Sequence, residues 1–307
     1  MKTYHLKVVD AFTTSPFKGN PAGVVLDANG LSDSQMQYIA REMNLSETAF
    51  ILPASETGAN LQIRWFSPIS EVPLCGHATI ASFHALAEEC MEGMKANGQH
   101  YFRLQTQRGI LSVRVEKNFY RNAIEFELPV PKFKIKKKLP LKLFKALNLN
   151  QKNLQHNLPV VMDSYLYIPL KNISMLEKLS PEYLSLSKEM DTLKVNGVCL
   201  FTLKTKENQS SVHSRFFAPN YGINEDPVTG SANGPLGCYL YQYALPAGYS
   251  IVHRELSDGR IEFVGEQGDA IDRAGRVKIR LRILQNNIED LFIVGEAVTI
   301  FTATMKL

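Results

Sequence analysis

A chain of 307 residues can hold roughly two domains of ordinary size, each burying its own core. With 45% hydrophobic and 21% charged residues it has the balance of a soluble globular protein rather than of a disordered chain. Its formal net charge of +4 is too small to imply a nucleic-acid partner, and no apolar run approaches the length of a bilayer span, which argues against a membrane partner.

Residues 1–10 alternate like a strand and lack an apolar core followed by a cleavage site, so a cytoplasmic protein is expected rather than an exported one. Strands are predicted over 4–12 and 22–27, joined by the turn-rich Ser15-Pro16-Phe17-Lys18-Gly19-Asn20-Pro21. Ser32 and Gln35 form a capping box, and Met36, Ile39, Ala40 and Met43 recur at helical spacing, which predicts a helix ending at Asn44. The chain then turns apolar and β-prone over 46–53, placing Glu47 at the mouth of a buried strand.

Further strands are predicted over 61–66, 102–105, 111–116 and 123–128, then over 197–203, 211–217, 261–264 and 277–284. Two runs, 79–87 and 232–241, carry small or apolar residues on nearly every side and read as buried helices. Pro235 is placed in the first turn of the second helix, where it loses no helical hydrogen bond. The texture changes over 129–140, whose lysines read as a solvated linker, with Pro140 and Ser180-Pro181 opening short helices. The last strands, 291–294 and 298–301, are expected to return to the first domain, giving domains of 1–130 with 294–307 and of 131–293.

Four cysteines, Cys75, Cys90, Cys199 and Cys238, form no C-x-x-C pair and accompany no histidine ladder. Reduced thiols are the simpler reading than a zinc site or a disulfide framework.

The strongest signal is a duplication. Glu71-Val72-Pro73-Leu74-Cys75-Gly76-His77-Ala78 returns as Glu225-Asp226-Pro227-Val228-Thr229-Gly230-Ser231-Ala232, with Glu, Pro, Gly and Ala at the same offsets. Arg64-Trp65-Phe66-Ser67-Pro68 precedes the first copy and Arg215-Phe216-Phe217-Ala218-Pro219 the second. Each copy leads into a predicted buried helix, whose first backbone N–H groups and positive dipole end favour an anion. Neither G-x-x-x-x-G-K-[ST] nor G-x-G-x-x-G is present, so a small carboxylate held between two domains is a better expectation than a phosphate.

A Glu47 facing such a cleft beside Phe50 would be partly desolvated, and its pKa would rise from about 4.3 toward neutrality. That would suit proton transfer, with His77 and Asp226 as relay groups. Cys75 has Thr229 as its repeat partner, so a matched pair of thiol bases is not available, and a buried core thiol is the plainer account.

Together, Asp10-Ala11-Phe12, Phe17-Lys18-Gly19-Asn20-Pro21-Ala22-Gly23-Val24, Ser46-Glu47-Thr48-Ala49-Phe50, Leu74-Cys75-Gly76-His77-Ala78-Thr79 and the second octapeptide resemble the PhzF-like isomerase family of phenazine biosynthesis. The order and spacing of these motifs cover nearly the whole chain. The resemblance implies an α+β fold like that of diaminopimelate epimerase, with two pseudo-symmetric domains, each a β-barrel wrapped around a central buried helix. It implies a proton shift with no metal and no organic cofactor, and a homodimer.

By the same resemblance Glu47 removes and returns the proton, His77, Asp226 and Ser231 surround the substrate, and Asn20, Gly76 and Gly230 shape the anion pocket. Asp272 stands where a glycine is expected, and Gly295-Glu296 replaces an expected glycine pair. The two alternatives are an amino-acid racemase or epimerase involving Cys75, and a small-anion binding protein without catalysis.

Overall fold

In the computed structural model, which describes residues 2–307, the N-terminal strand Thr3–Ala11 pairs antiparallel with Asn20–Val25 and with the C-terminal strand Ala297–Lys306. The chain divides into two units, Met1–Glu127 with Ile293–Leu307, and Leu128–Phe292. Both are mixed α+β and dominated by strands.

In the first unit, helix α1 (Asp33–Met43) carries the chain between Asn20–Val25 and the parallel strand Glu47–Pro53. Parallel neighbours need such a crossover. The capping box forms, with Ser32 Oγ accepting from Gln35 N and Gln35 Oε1 accepting from Ser32 N. Asn44 ends the helix in the left-handed conformation that asparagine tolerates better than most residues. Met36, Ile39 and Ala40 pack with Tyr4, Leu6, Val25, Phe50 and Phe66.

Next, Glu47–Pro53 pairs antiparallel with Leu61–Phe66, and helix α2 (Gly76–Glu88) leads to Gly98–Thr106, which is parallel to Leu61–Phe66. Every residue from His77 to Ala87 is buried. The small side chains along α2 let it pack against Thr3–Ala11, Asn20–Val25, Glu47–Pro53 and Ala297–Lys306.

The second unit repeats this order. Leu166–Pro169 runs parallel to Val198–Thr202, with α4 (Ile173–Glu177) and α5 (Tyr183–Leu193) between them; α3 (Leu141–Ala146) precedes. Val198–Thr202 pairs antiparallel with Val212–Ala218, and α6 (Gly230–Tyr239) leads to the parallel Ile261–Gln267. The core of the unit gathers Leu143, Leu166, Ile168, Leu186, Met190, Leu200 and Phe217.

One ion pair recurs with the octapeptide. Arg64 donates from Nε and Nη2 to both oxygens of Glu71, and Arg215 does the same to Glu225. Each guanidinium carbon also sits 5.1 Å from a phenylalanine ring, Phe66 in one copy and Phe217 in the other. The shared glutamate is thus a bidentate anchor that fixes the turn into the helix.

Three expectations are corrected. Pro235 is the sixth residue of α6, inside the helix, so it has no N–H to give the Ser231 carbonyl. The helix begins at Gly230 because Thr229 is its N-cap, earlier than the run of helix formers indicates. The lysine-rich linker is partly a strand, since Lys134–Ile135 pairs with Val161–Met162 while both of its residues stay exposed. Gly237 explains how α6 approaches its sheet, because a Cβ there would meet Ile279 Cγ2 at 2.4 Å. Among the described residues, no helix is long and apolar enough to cross a membrane.

Candidate active site

Glu47 opens its strand, three residues after the helix cap at Asn44, and its side chain is 13% exposed. The parallel register sets Glu47 beside Ala22, on the strand that begins with the fully buried Asn20. Gly19 shapes the approach to Asn20. It has a φ of +63°, and a Cβ there would lie 2.1 Å from the Ala11 carbonyl oxygen. The buried Asp10 accepts a hydrogen bond from Phe17 N and ties the same loop down.

His77 is the second residue of α2, after Gly76. Its Nε2 lies 3.4 Å from Glu47 Oε2 and 3.4 Å from Ser46 Oγ, and its Nδ1 lies 3.4 Å from Cys75 Sγ. Burial pushes the His77 pKa down to about 3, so the ring is neutral at ordinary pH. A neutral ring has one donor and one acceptor nitrogen. Nε2 meets the Ser46 hydroxyl and Nδ1 the Cys75 thiol in hydrogen bonds, while the Glu47 carboxylate stands at ion-pair distance from Nε2.

Donor atoms of Glu47, Cys75 and His77 lie within 4.8 Å of one another.

The second unit builds a different set on the same plan. Asp226, nine-tenths buried, accepts from Thr229 Oγ1 at 2.5 Å. Gln267 brackets the turn: its Nε2 donates to the Asp226 carbonyl and to Thr229 Oγ1, and its Oε1 accepts from Thr229 N and Asn233 Nδ2. Ser231, the second residue of α6, has Oγ 3.0 Å from Tyr165 OH, and the Tyr165 ring packs edge-on against Phe216. Neither Cys75 nor Thr229 caps its helix through a side chain, so the first N–H groups of α2 and α6, including those of Gly76 and Gly230, are not covered by a cap.

The structure thus joins Glu47 with His77 in one unit, and places Asp226 within a turn of Ser231 in the other. Sequence reasoning missed Ser46, Tyr165, Asn233 and Gln267. A polar glutamine inside a buried strand was the available signal for Gln267; Tyr165 gave none.

Comparison with known proteins agrees with these motifs. The profile of the phenazine biosynthesis-like protein family PhzC-PhzF matches residues 9–303. An uncharacterized isomerase of Clostridium acetobutylicum is 37% identical, over 100% of this chain and 99% of its own. The trans-2,3-dihydro-3-hydroxyanthranilate isomerase of Pseudomonas chlororaphis is 34% identical, over 78% of this chain and 81% of its own.

Among solved structures, a PhzF-family phenazine biosynthesis protein of Bacillus anthracis superposes with a TM-score of 0.86 at 29% identity, covering 100% of both chains. A hydroxyproline epimerase of Agrobacterium vitis shares the fold alone, with a TM-score of 0.59 at 10% identity over 99% of this chain and 93% of that one.

Proposed function

Since this chain belongs to the PhzC-PhzF family of phenazine biosynthesis-like proteins and is an isomerase, we propose that it moves one proton near the carboxylate of a small cyclic or amino acid-like acid, with Glu47 as the single acid/base. The observation that carries this reading is the Glu47 carboxylate, mostly buried, beside a histidine held neutral by burial. Glu47 takes the proton from a carbon of the substrate and returns it at another. A neutral His77 beside Glu47 can donate from Nε2 to the ionised carboxylate, and the proposed exchange uses no cofactor.

Asp226 and Ser231 are assigned supporting roles in substrate contact and proton relay, and Asn20, Gly76 and Gly230 a role in carboxylate binding. The repeated strand order and the buried α2 and α6 support the further reading of each unit as a barrel around its helix. A cytoplasmic homodimer is proposed with it, to be checked by sedimentation.

Small carboxylic acids incubated with the protein in heavy water test the reaction, beginning with the dihydro-hydroxyanthranilate named for the Pseudomonas chlororaphis relative. Deuterium appearing at carbon supports a proton-shifting isomerase. A set of acids that bind without exchange would instead identify a binding protein.

A second reading rests on the Cys75–His77 approach of 3.4 Å, which resembles an activated thiol. In that case Cys75 would act as a base in a racemase or epimerase, and alkylation of Cys75 would stop turnover unless substrate protected it.

A further inference from the structure

A cavity of about 600 Å³ lies within the first unit, at the C-terminal end of α2, and is lined by none of the residues assigned to the isomerase chemistry. Its size is typical of a small-molecule site.

Two polar groups on its wall lack hydrogen-bond partners among the described residues. His84 is 7% exposed, with neither ring nitrogen hydrogen-bonded, and Asn122 Oδ1 is likewise buried and unpartnered. His84 Nε2 stands 3.3 Å from Glu88 Oε1, within ion-pair distance but without hydrogen-bond alignment. In the neutral ring a lone pair facing a carboxylate is repelled, so the form with the proton on Nε2 is favoured and its Nδ1 is an acceptor.

The nearby cations have partners: Arg121, on the cavity wall, stands 3.7 Å from Glu296 Oε2 on the same wall. Lys117 Nζ donates to the carbonyls of Ala87 and Met94 and to Cys90 Sγ. Lys7 pairs with Glu88 and Glu89. Burial alone would raise the Glu88 pKa, yet the hydrogen bonds from Thr299 and Lys7 act to lower it, so a carboxylate charge stays on the wall. The helix dipole adds negative potential at this end of α2. At the mouth, the Phe119 and Tyr120 side chains are 89% and 93% exposed.

We infer that this cavity binds a small primary amine as its ammonium, which donates to His84 Nδ1 and Asn122 Oδ1 and lies against the Phe119 and Tyr120 rings. A buried acceptor pair, an ionised carboxylate and aromatic faces each favour a cation. A carboxylic acid is the wrong sign, which separates this site from the proposed isomerase site.

Benzylammonium is the probe, with benzoate and benzyl alcohol as controls, and the readout is the His84 ring-proton NMR signal, assigned by its loss in His84→Gln. Benzylammonium is expected to shift the signal saturably, with benzoate and benzyl alcohol at least tenfold weaker. Asn122→Ala is expected to weaken binding about fivefold, the size of one net hydrogen bond. Tyr120→Ala, on a fully exposed side chain that folding does not need, is expected to weaken it by a similar factor. The inference is overturned if benzylammonium leaves the His84 signal unmoved, if either control binds as well, or if both variants bind like the parent.

Discussion

His77 turns its two ring nitrogens toward two different acid–base partners: Nε2 is 3.4 Å from Glu47 Oε2 and Nδ1 is 3.4 Å from Cys75 Sγ. Which partner does the chemistry separates the two functional readings. Burial favours the carboxylate reading, because a ring held neutral carries no positive charge to stabilise a thiolate.

Cys75→Ala is therefore expected to keep turnover within about tenfold of the parent. A loss of about a hundredfold or more, the usual effect of removing a general acid or base, would move the chemistry to the thiol. Steady-state kinetics on a single substrate decide between them.

The pH dependence of stability carries the signature of His77. Burial lowers its folded-state pKa to about 3 from an ordinary 6.5, so the unfolded chain binds a proton that the folded chain refuses. Stability is full above about 6.5 and is lost as pH falls from there toward 3. Urea titrations should show a shallower decline over this window in His77→Gln than in the parent, and equal slopes would contradict the assignment. In activity, His77→Ala should reduce turnover without abolishing it.

The duplicated arginines should not be equivalent in stability. Arg215 and Glu225 have side chains 7% and 8% exposed, against 19% and 21% for Arg64 and Glu71, and Arg215 also donates to the carbonyls of Leu176 and Leu179. Arg215→Met leaves Glu225 buried without its partner, at an expected cost of about 3–5 kcal/mol. Arg64→Met should cost less, and denaturant midpoints that rank the two in the opposite order would refute the burial argument.

Gln267 is expected to act as a positioning residue for Asp226. Gln267→Leu leaves Thr229 N and the Asp226 carbonyl without their partner, which should cost about 1–3 kcal/mol in stability. It should also lower kcat more than KM, because the turn that carries Asp226 and Ser231 loses its bracket. Unchanged kcat at full folding would show that the bracket is structural only.

Much of the fold could be read from residues. The capping box at Ser32 and Gln35, the all-round apolar run of α2 and the paired octapeptides each carry a local physical signal, and each appears in the structure. Pro235 was misplaced because the helix starts at Gly230, and the signal for that start lies in the turn held by Gln267, 38 residues away from Thr229. Tyr165 meets Ser231 across 66 positions, a distance over which no periodicity speaks. For the candidate site, His77, Asp226 and Ser231 lie within the paired octapeptides that stood out in the sequence. Glu47 lay outside both copies and was reached only through its place at the strand mouth and the family resemblance.

The most direct test follows deuterium uptake from heavy water into a carboxylic acid that the parent protein turns over, comparing it with Glu47→Gln by NMR. The account predicts exchange at carbon with the parent and a loss of about a thousandfold or more in the nearly isosteric variant, with its thermal unfolding unchanged. Exchange persisting at the parent rate in a folded Glu47→Gln protein would contradict it.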